Sequence, residues 1–181
     1  MRVGIGYDIH RFAEGRRLVL GGLEVPHARG LDGHSDADVL SHAVADALLG
    51  ALGQGDLGEH FPSDDPRWRD ASGATLLAPI LEQVERAGRC IGNLDCVIIA
   101  AEPRLAPFRA GIRKELAKLL RVPEERVYVK LKSGDGLGAT GRGEGIAAQA
   151  VVLPTALIEQ AASQSAELEQ LRGQVWTARL S

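Results

Sequence analysis

Cysteine is scarce in this sequence, and its scarcity restricts the kinds of metal site that the chain can form. The 181 residues include two cysteines, Cys90 and Cys96, and no C-x-x-C pair. Their spacing within a predicted strand places both thiols on one face without making them neighbours, which is typical of inert core cysteines. A zinc site built from sulfur ligands is therefore excluded, and histidines and carboxylates must hold any transition metal.

Long apolar runs and an excess of one charge are missing as well. No stretch has the length of uninterrupted apolar sequence that a membrane span needs, and the first ten residues, MRVGIGYDIH, lack the features of a signal peptide. The formal net charge is −3, with Lys and Arg scattered among Asp and Glu. We therefore expect a cytoplasmic protein whose partners include neither a membrane nor a nucleic acid.

Helix and strand patterns alternate along a chain of ordinary globular composition, 45% hydrophobic and 25% charged. Strands are predicted at residues 2–8 and 16–25, as a hairpin-like opening, and then at 93–101, 126–132 and 146–154. Helices are predicted from Ser35 or Asp36 to about residue 52, at 73–87 despite Pro79, and at 107–120. The pattern indicates one domain over residues 1–154 with a single mixed sheet, followed by a tail, 155–181, with helical character.

A metal site is predicted where an extended segment and a helix each contribute ligands. Asp8 and His10 are two residues apart in an extended segment, so both side chains point to the same side. Alone, this triplet indicates a surface turn more often than a metal site. His42 on the first helix offers a third ligand, and Asp38 or Asp46, one turn away on either side, is expected to orient its imidazole. Three protein ligands with an open fourth position are typical of catalytic zinc.

Four other segments are each weak evidence of a ligand site when taken singly. His34, Ser35 and Asp36 precede the first helix and could hold a phosphate, although a simple N-cap explains them better. The sequences GDLG at 55–58 and FPSDDP at 61–66 are typical of ordinary turns. The glycine-rich stretch at 133–145 is neither a Walker loop nor a dinucleotide fingerprint, yet it permits close contact between backbone and phosphate.

Taken together, these segments resemble the family of 2-C-methyl-D-erythritol 2,4-cyclodiphosphate synthases, the cyclases of the non-mevalonate isoprenoid pathway. The resemblance runs from residue 1 to about 154, and the joint order of its motifs is far more specific than any one of them. The motifs are GYDIH at 6–10, HSDAD at 34–38, DVLSHAVADALLG at 38–50, GDLG at 55–58, FPSDDP at 61–66 and TGRGEG at 140–145.

This resemblance implies both a fold and a reaction. The fold is α+β (α/β), with a mixed, mainly four-stranded sheet, helices packed on one face and a chorismate-mutase-like homotrimer around a central channel. The reaction is that of a phosphorus-oxygen lyase. The 2-phosphate of 4-CDP-2-C-methyl-D-erythritol 2-phosphate attacks the β-phosphate of the same molecule, which gives the cyclic diphosphate and CMP. An isoprenoid diphosphate is a further candidate ligand, in the channel near Arg142 and Glu144.

The resemblance also assigns roles to individual residues. Asp8, His10 and His42 would bind zinc, one ion per subunit, and Asp135 would hold a second cation, magnesium or manganese, between the α- and β-phosphates. His34 and Ser133 would be the catalytic residues that stabilise the charge of the transition state. The residues expected to contact the substrate are Asp8, His10, His34, Ser35, Asp56, Leu57, Gly58, Phe61, Pro62, Ser63, Asp64, Asp65, Ala100, Ala101, Glu102, Pro103, Arg104, Leu105, Ala106, Lys132, Ser133, Gly134, Asp135, Ala139 and Arg142.

One segment departs from the family pattern. The family commonly carries K-A-T-T-x-E after its fourth strand, whereas residues 130–135 here are KLKSGD. Ser133 keeps a hydroxyl, and Asp135 keeps a carboxylate that is one methylene shorter than Glu. Ala139 stands where an aromatic residue is usual, and Lys132 adds a charge.

Two alternative functions remain open at this point. A metal-dependent phosphohydrolase would use metal-bound water to cleave a nucleoside diphosphate compound. A non-catalytic trimeric protein would bind the diphosphate without converting it, which the altered segment at 132–139 makes plausible.

Overall fold

The computed structural model describes residues 2–156, and seven strands lie within this range. They are β1 (Gly4–Glu14), β2 (Leu18–Leu20), β3 (Leu23–Val25), β4 (Arg29–Leu31), β5 (Arg89–Ile99), β6 (Val127–Lys132) and β7 (Gly145–Ala156). Five of them form one sheet in the order β4-β1-β7-β5-β6. β5 and β6 are parallel, and the other neighbours are antiparallel. Since β4 is a three-residue edge strand, the expected mixed sheet with mainly four strands is confirmed.

The opening of the chain differs from the predicted hairpin. β1 continues past Asp8 to Glu14 and pairs with β7 and β4, whereas residues 18–25 form a separate two-stranded hairpin of β2 and β3. The reason is the Gly21-Gly22 pair, where both residues have positive φ values of 60° and 80°. A two-residue turn of this kind joins adjacent antiparallel strands, so residues 16–25 fold back on themselves.

Three long helices were predicted, and all three are present. They are α1 (Val39–Leu52), α3 (Gly73–Arg86) and α4 (Arg109–Leu119), with two short helices, α2 (Leu57–His60) and α5 (Gly138–Gly141). The start of α1 was placed too early. Its N-cap is Asp38, whose carboxylate accepts a hydrogen bond from Ser41 N at 3.0 Å, so His42 lies in the first turn of the helix.

All three long helices cover one face of the sheet, as predicted. α1 lies on β1 and β7, α3 contacts β5, and α4 packs against β6. α1 lies unusually close to β1, because a Cβ atom added at Gly6 would be 1.9 Å from the carbonyl oxygen of Ala43, and one at Gly4 would be 1.7 Å from that of Ala47. The two glycines thus let the helix rest directly on the strand backbone.

The opposite face of the sheet is open and apolar. Large hydrophobic side chains on β1, β6 and β7, or just before β1, remain exposed there: Val3, Ile5, Tyr7, Ile9, Tyr128 and Val151. A contiguous exposed patch of this kind on a soluble-protein sheet marks an interaction surface. None of the helices within residues 2–156 combines the length and apolar character that a bilayer crossing requires.

The two cysteines lie on opposite faces of β5, contrary to the prediction. The pairing of β5 with β7 shifts between Ile91 and Asn93, and this irregularity moves the buried positions from odd to even residues. Cys96 is consequently fully buried, while Cys90 is partly exposed. The predicted helical tail loses residues 155 and 156 to β7, and its remainder, 157–181, lies outside the described residues.

Candidate active site

Three predicted metal ligands, Asp8, His10 and His42, meet at one point on the helix-covered side of the sheet's edge. Asp8 Oδ2 lies 2.8 Å from His10 Nε2 and 2.9 Å from His42 Nδ1, and the two ring nitrogens are 3.3 Å apart. Asp8 and His10 come from β1, where alternate residues face the same way, and His42 comes from the first turn of α1. The packing of α1 onto β1 therefore assembles the group.

The outer nitrogen of each imidazole is held by an oxygen, which fixes the orientation of the ring. His10 Nδ1 is 2.6 Å from the carbonyl oxygen of Asp32, and His42 Nε2 is 3.0 Å from Ser35 Oγ. A ring N–H that donates outward leaves the lone pair of the other nitrogen directed at the centre of the group. Both histidines thus offer a lone pair to a cation.

The orienting role predicted for Asp38 or Asp46 belongs to Ser35 instead. Asp38 is fully buried, and its carboxylate accepts hydrogen bonds from Gly21 N, Gly22 N and the main chain and hydroxyl of Ser41. Asp46 accepts from Leu57 N at 2.7 Å. Both carboxylates are engaged in joining segments of the fold, so the prediction was wrong for both.

The electrostatics of the group favour a negative carboxylate. Burial raises the pKa of Asp8, but hydrogen bonds from His10 and His42 and their charges outweigh burial and hold the pKa of this carboxyl well below its usual value. Burial lowers the pKa of His10, and the hydrogen bond and charge of Asp8 reverse this effect, so that the net shift is upward. A proton held here in the absence of metal must leave when a cation binds.

The donor set fits a divalent transition metal. One oxygen and two nitrogens suit a borderline cation such as zinc, whose bonds to them are about 2.0–2.2 Å long. Since the three ligand atoms are 2.8–3.3 Å apart, a point about 2 Å from all of them exists beside their plane. Within residues 2–156, Asp8, His10 and His42 form a cluster of potential metal ligands, whose donor atoms all lie within 4.8 Å of one another.

A cavity of about 460 Å³ opens beside this triad. Its lining contains ten of the predicted site residues: Asp8, His10, His34, Ser35, His42, Asp56, Leu57, Gly58, Phe61 and Ser63. The remaining predicted residues of the loop at 61–65, Pro62, Asp64 and Asp65, are not in the lining. Asp65 is instead bound to Arg67, with its Oδ2 2.6 Å from Arg67 Nη2.

His34 is placed at the cavity by a loop that is fastened at both ends. Asp70 N donates to the carbonyl oxygen of His34 at 2.9 Å, and the carboxylate of Asp36 accepts from Gly73 N at 2.9 Å. This arrangement replaces the predicted N-cap at residues 35–36, because the carboxylate of Asp36 joins its loop to the first residue of α3 and does not cap α1. The imidazole of His34 is left on the cavity wall.

The other predicted substrate residues form a separate group within the chain. Residues 100–106, 132–135, 139 and 142, which we call the second group, do not line the cavity. They are connected to one another, since Ala100 N donates to the carbonyl oxygen of Lys132 at 2.9 Å and Ala101 N to that of Thr140 at 3.3 Å. One chain therefore presents the predicted site residues in two separate groups, one at the cavity and the other in the second group.

Within the second group, the predicted catalytic hydroxyl and cation ligand contact each other. Ser133 Oγ donates to Asp135 Oδ1 at 2.6 Å, and Asp135 has a positive φ of 50°. Arg142 Nε lies 2.6 Å from Glu144 Oε1, and both side chains are exposed, so these two charges form an ion pair across a turn.

Three residues of the cavity wall were missed as contacts: Asp46, Trp68 and Leu76. The contact of Asp46 with the cavity could have been predicted, because this residue lies one turn after His42 on the same helix face. Trp68 follows the turn FPSDDP and stacks edge-to-face on Phe61, with ring centroids 4.8 Å apart. Leu76 looks like any apolar helix residue, so the sequence offers no signal for it.

Known proteins are similar to this chain over almost the whole range of described residues. The model of the YgbB family matches residues 1–155. The 2-C-methyl-D-erythritol 2,4-cyclodiphosphate synthase of Halalkalibacterium halodurans is 54% identical over 153 residues, which are 84% of this chain and 98% of that protein. The enzyme of the same name from Treponema denticola is 48% identical over 153 residues, 84% of this chain and 95% of that protein.

Solved structures show the same fold. A structure of 2C-methyl-D-erythritol-2,4-cyclodiphosphate synthase, described as a CDP-bound form, has a TM-score of 0.78 and 39% identity. The match covers 85% of this chain and 100% of that one.

Proposed function

The chain belongs to the YgbB family, and from this premise we propose that it is a 2-C-methyl-D-erythritol 2,4-cyclodiphosphate synthase. It converts 4-CDP-2-C-methyl-D-erythritol 2-phosphate into 2-C-methyl-D-erythritol 2,4-cyclodiphosphate and CMP, in isoprenoid biosynthesis. The resemblance and the enzyme class expected from the motifs are confirmed by relatives that are about half identical. The observation that carries the proposal is the convergence of Asp8, His10 and His42 beside a cavity of substrate size.

The reaction makes limited chemical demands on the protein. An oxygen of the 2-phosphate forms a bond to the β-phosphorus, and the bond from that phosphorus to the oxygen shared with the α-phosphate breaks as CMP leaves. Both ends belong to one molecule, so the chain must bend the substrate and offset its negative charge. A protein nucleophile is unnecessary for this chemistry.

Zinc is the cation that we propose for Asp8, His10 and His42, one ion per subunit. When bound, it supplies Lewis acidity towards a phosphate oxygen. Asp32 and Ser35 keep the two imidazoles aimed at this position. His34 on the cavity wall is proposed to stabilise the charge that develops on the transferred phosphoryl group, and residues 56–58 and 61–65 to hold the methylerythritol portion.

We propose a homotrimer in which the second group of one chain completes the cavity of its neighbour. Two observations support this assembly: the two groups of predicted site residues are separate within one chain, and the exposed sheet face is apolar. Residues 100–106 would then hold the cytidine, Ser133 would act with His34, and Asp135 would hold magnesium or manganese at the diphosphate. Arg142 and Glu144 would lie near a central channel that could admit an isoprenoid diphosphate.

Two further expectations remain predictions. We retain a single domain over residues 1–154 and a cytoplasmic location. Fractionation of cells that produce the protein tests the second of these.

Phosphorus NMR of a reaction mixture tests the activity. The purified protein is incubated with 4-CDP-2-C-methyl-D-erythritol 2-phosphate, zinc, and magnesium or manganese. We expect the resonances of the cyclic diphosphate to appear together with those of CMP. CMP with an acyclic second product would indicate the phosphohydrolase instead, and substrate that stays intact would indicate the binding protein.

Mixing two inactive variants tests the shared site. His42→Ala damages the triad and Asp135→Ala the second group, so each trimer of one variant has only damaged sites. After unfolding and refolding together, random assortment should restore about a quarter of the sites, because a site then draws its halves from two chains. No recovery in the mixture, with recovery in refolded wild type, would mean that each chain builds its own complete site.

A further inference from the structure

A groove far along the sheet from the triad is not used by the proposed reaction. It has a volume of about 230 Å³ and lies between the carboxyl end of α3, the start of β5 and the connection from α4 to β6. Its floor includes Val84, Ile91 and Leu120, which are 2%, 3% and 3% exposed. The floor is therefore apolar and already well packed, and an occupant would bind over it.

The rim of this groove carries a predominance of positive charge. Three arginines, Arg89, Arg121 and Arg126, line it together with one glutamate, Glu85. Arg126 donates to the carbonyl oxygen of Ile91 at 3.2 Å, and Arg121 lies 3.6 Å from Glu85. An apolar floor inside a basic rim suits a peptide segment with apolar and acidic side chains.

The described chain ends beside this groove. β7 is antiparallel to β5, and its last two residues, Thr155 and Ala156, pair with Cys90 and Arg89. Cys90 Sγ is 3.3 Å from Thr155 Oγ1, and both Cys90 and Arg89 line the groove. The described part of the chain therefore ends at the groove's edge.

The sequence that follows has the complementary composition. Residues 157–171, LIEQAASQSAELEQL, contain three glutamates, Glu159, Glu167 and Glu169, and no lysine or arginine. They also contain Leu157, Ile158, Leu168 and Leu171. The family match ends at residue 155, so this segment is an addition to the shared fold.

We propose that residues 157–171 bind in this groove of their own chain, with the glutamates at the arginine rim and the apolar side chains over the floor. Fifteen residues can reach about 50 Å when extended, far beyond the length of α3, whose 14 residues span about 21 Å. The tether also keeps the local concentration of the segment near the millimolar range, so individually weak ion pairs are sufficient.

A cysteine introduced at the rim reports on occupation of the groove. Glu85→Cys places a thiol at an exposed position that lines the groove. Cys90→Ser, made in the same protein, removes the partly exposed native thiol, while Cys96 is fully buried and burial raises the pKa of its thiol to about 12. In the folded protein, a thiol-reactive probe such as a maleimide should therefore label the introduced thiol selectively. Mass spectrometry of the digested protein confirms which cysteine carries the label.

In the full chain, Glu167→Gln with Glu169→Gln should raise the labelling rate of the introduced thiol several-fold, since the segment is released more often. Glu14→Gln with Glu24→Gln removes the same charge from exposed positions elsewhere and should leave the rate unchanged. A chain that ends at residue 156 should label about tenfold faster or more. A rate that is the same with the wild-type tail, with the variant tail and in the shortened chain would overturn the proposal.

Reversal of charges identifies the rim as the partner. Arg121→Glu should raise the labelling rate, and adding Glu167→Arg and Glu169→Arg to it should lower the rate again. Arg109→Glu, an exposed position at the other end of α4, is the matched control and should have no effect. A labelling rate that, with the wild-type tail, falls as protein concentration rises would show that a second copy covers the groove, and would overturn binding within one chain.

Discussion

The triad and the second group carry similar side chains but are held in different ways. Asp8 and His42 are 34 residues apart in sequence and are joined through the packing of α1 on β1. Ser133 and Asp135 are joined over two residues, in a loop where Gly134, Asp135 and Gly136 all have positive φ. The arrangement of the triad is thus set by tertiary structure, and the contact between Ser133 and Asp135 by a local turn. A divergence from the family pattern is accordingly found in the turn and not in the triad.

The largest expected effect is that of His42→Ala. Removing this ligand should abolish tight zinc binding and lower turnover by at least about 100-fold, because a Lewis acid contributes several kcal/mol to such reactions. Metal analysis of the purified variant and phosphorus NMR measure the two losses. His60→Ala is the matched control, since this histidine donates to the carbonyl oxygen of Gln54 outside the triad. Zinc retained at full stoichiometry in the His42 variant would contradict the ligand assignment.

Removal of zinc should lower stability, because the triad proposed to bind the ion is assembled only in the folded chain. With free zinc at a thousand times its dissociation constant, the loss is about 4 kcal/mol, or roughly 10 °C in the melting temperature of a chain of this size. Scanning calorimetry with and without a chelator measures this shift. The His42→Ala protein should show no such shift, and an equal shift in that variant would place the stabilising ion elsewhere.

Asp135→Ala should separate the second group from the triad. We expect zinc to be retained and turnover to fall about 10- to 100-fold, as the charge of a second cation on the diphosphate is lost. Asp135→Glu restores the longer side chain of the family and should keep turnover within a few-fold of wild type. Titration of magnesium during the assay measures the affinity for this cation. Loss of zinc on Asp135→Ala would show that the two groups depend on each other.

The smallest expected effect is that of Ser35→Ala. Its hydroxyl holds the outer nitrogen of His42 at 3.0 Å, and loss of such a contact weakens metal binding about tenfold or somewhat more. Competition with a chromogenic chelator measures this change in zinc affinity. Ser63→Ala, on the same cavity wall but without contact to a histidine, should leave the zinc affinity unchanged. An equal loss in both variants would argue against the role of Ser35.

The sequence was sufficient for the features that repeat along the chain. The amphipathic helices, the buried strands and the triad followed from periodicity and from residue types at characteristic spacings. The pairing of β1 with β7 could not be predicted. Residues 16–25 form a largely apolar run that is typical of a single strand, and nothing in the local sequence indicates that they form a hairpin of their own. The cap at Asp38 was missed for a similar reason, because Ser35, Asp36 and Asp38 are equally good capping residues and only the packing chooses between them.

The orientation of His42 shows the same limit at the site. Asp38 and Asp46 have the correct helical spacing, but their carboxylates are used by Gly21, Gly22 and Leu57, which come from distant parts of the sequence. The partial exposure of Cys90 could not be predicted either, because a β-bulge in β5 reverses the alternation of buried and exposed residues on which the prediction rested.

The contact of α1 with Gly4 and Gly6 has a consequence for how the metal site can vary. Where main chain touches main chain, the separation of helix and strand is a fixed length that no side-chain rotamer can adjust. The distance between Asp8 and His42 therefore depends on Gly4 and Gly6, which have a hydrogen atom where other residues have a side chain. A single methyl group at Gly6 would act as a wedge, opening the ligand triangle without altering any ligand.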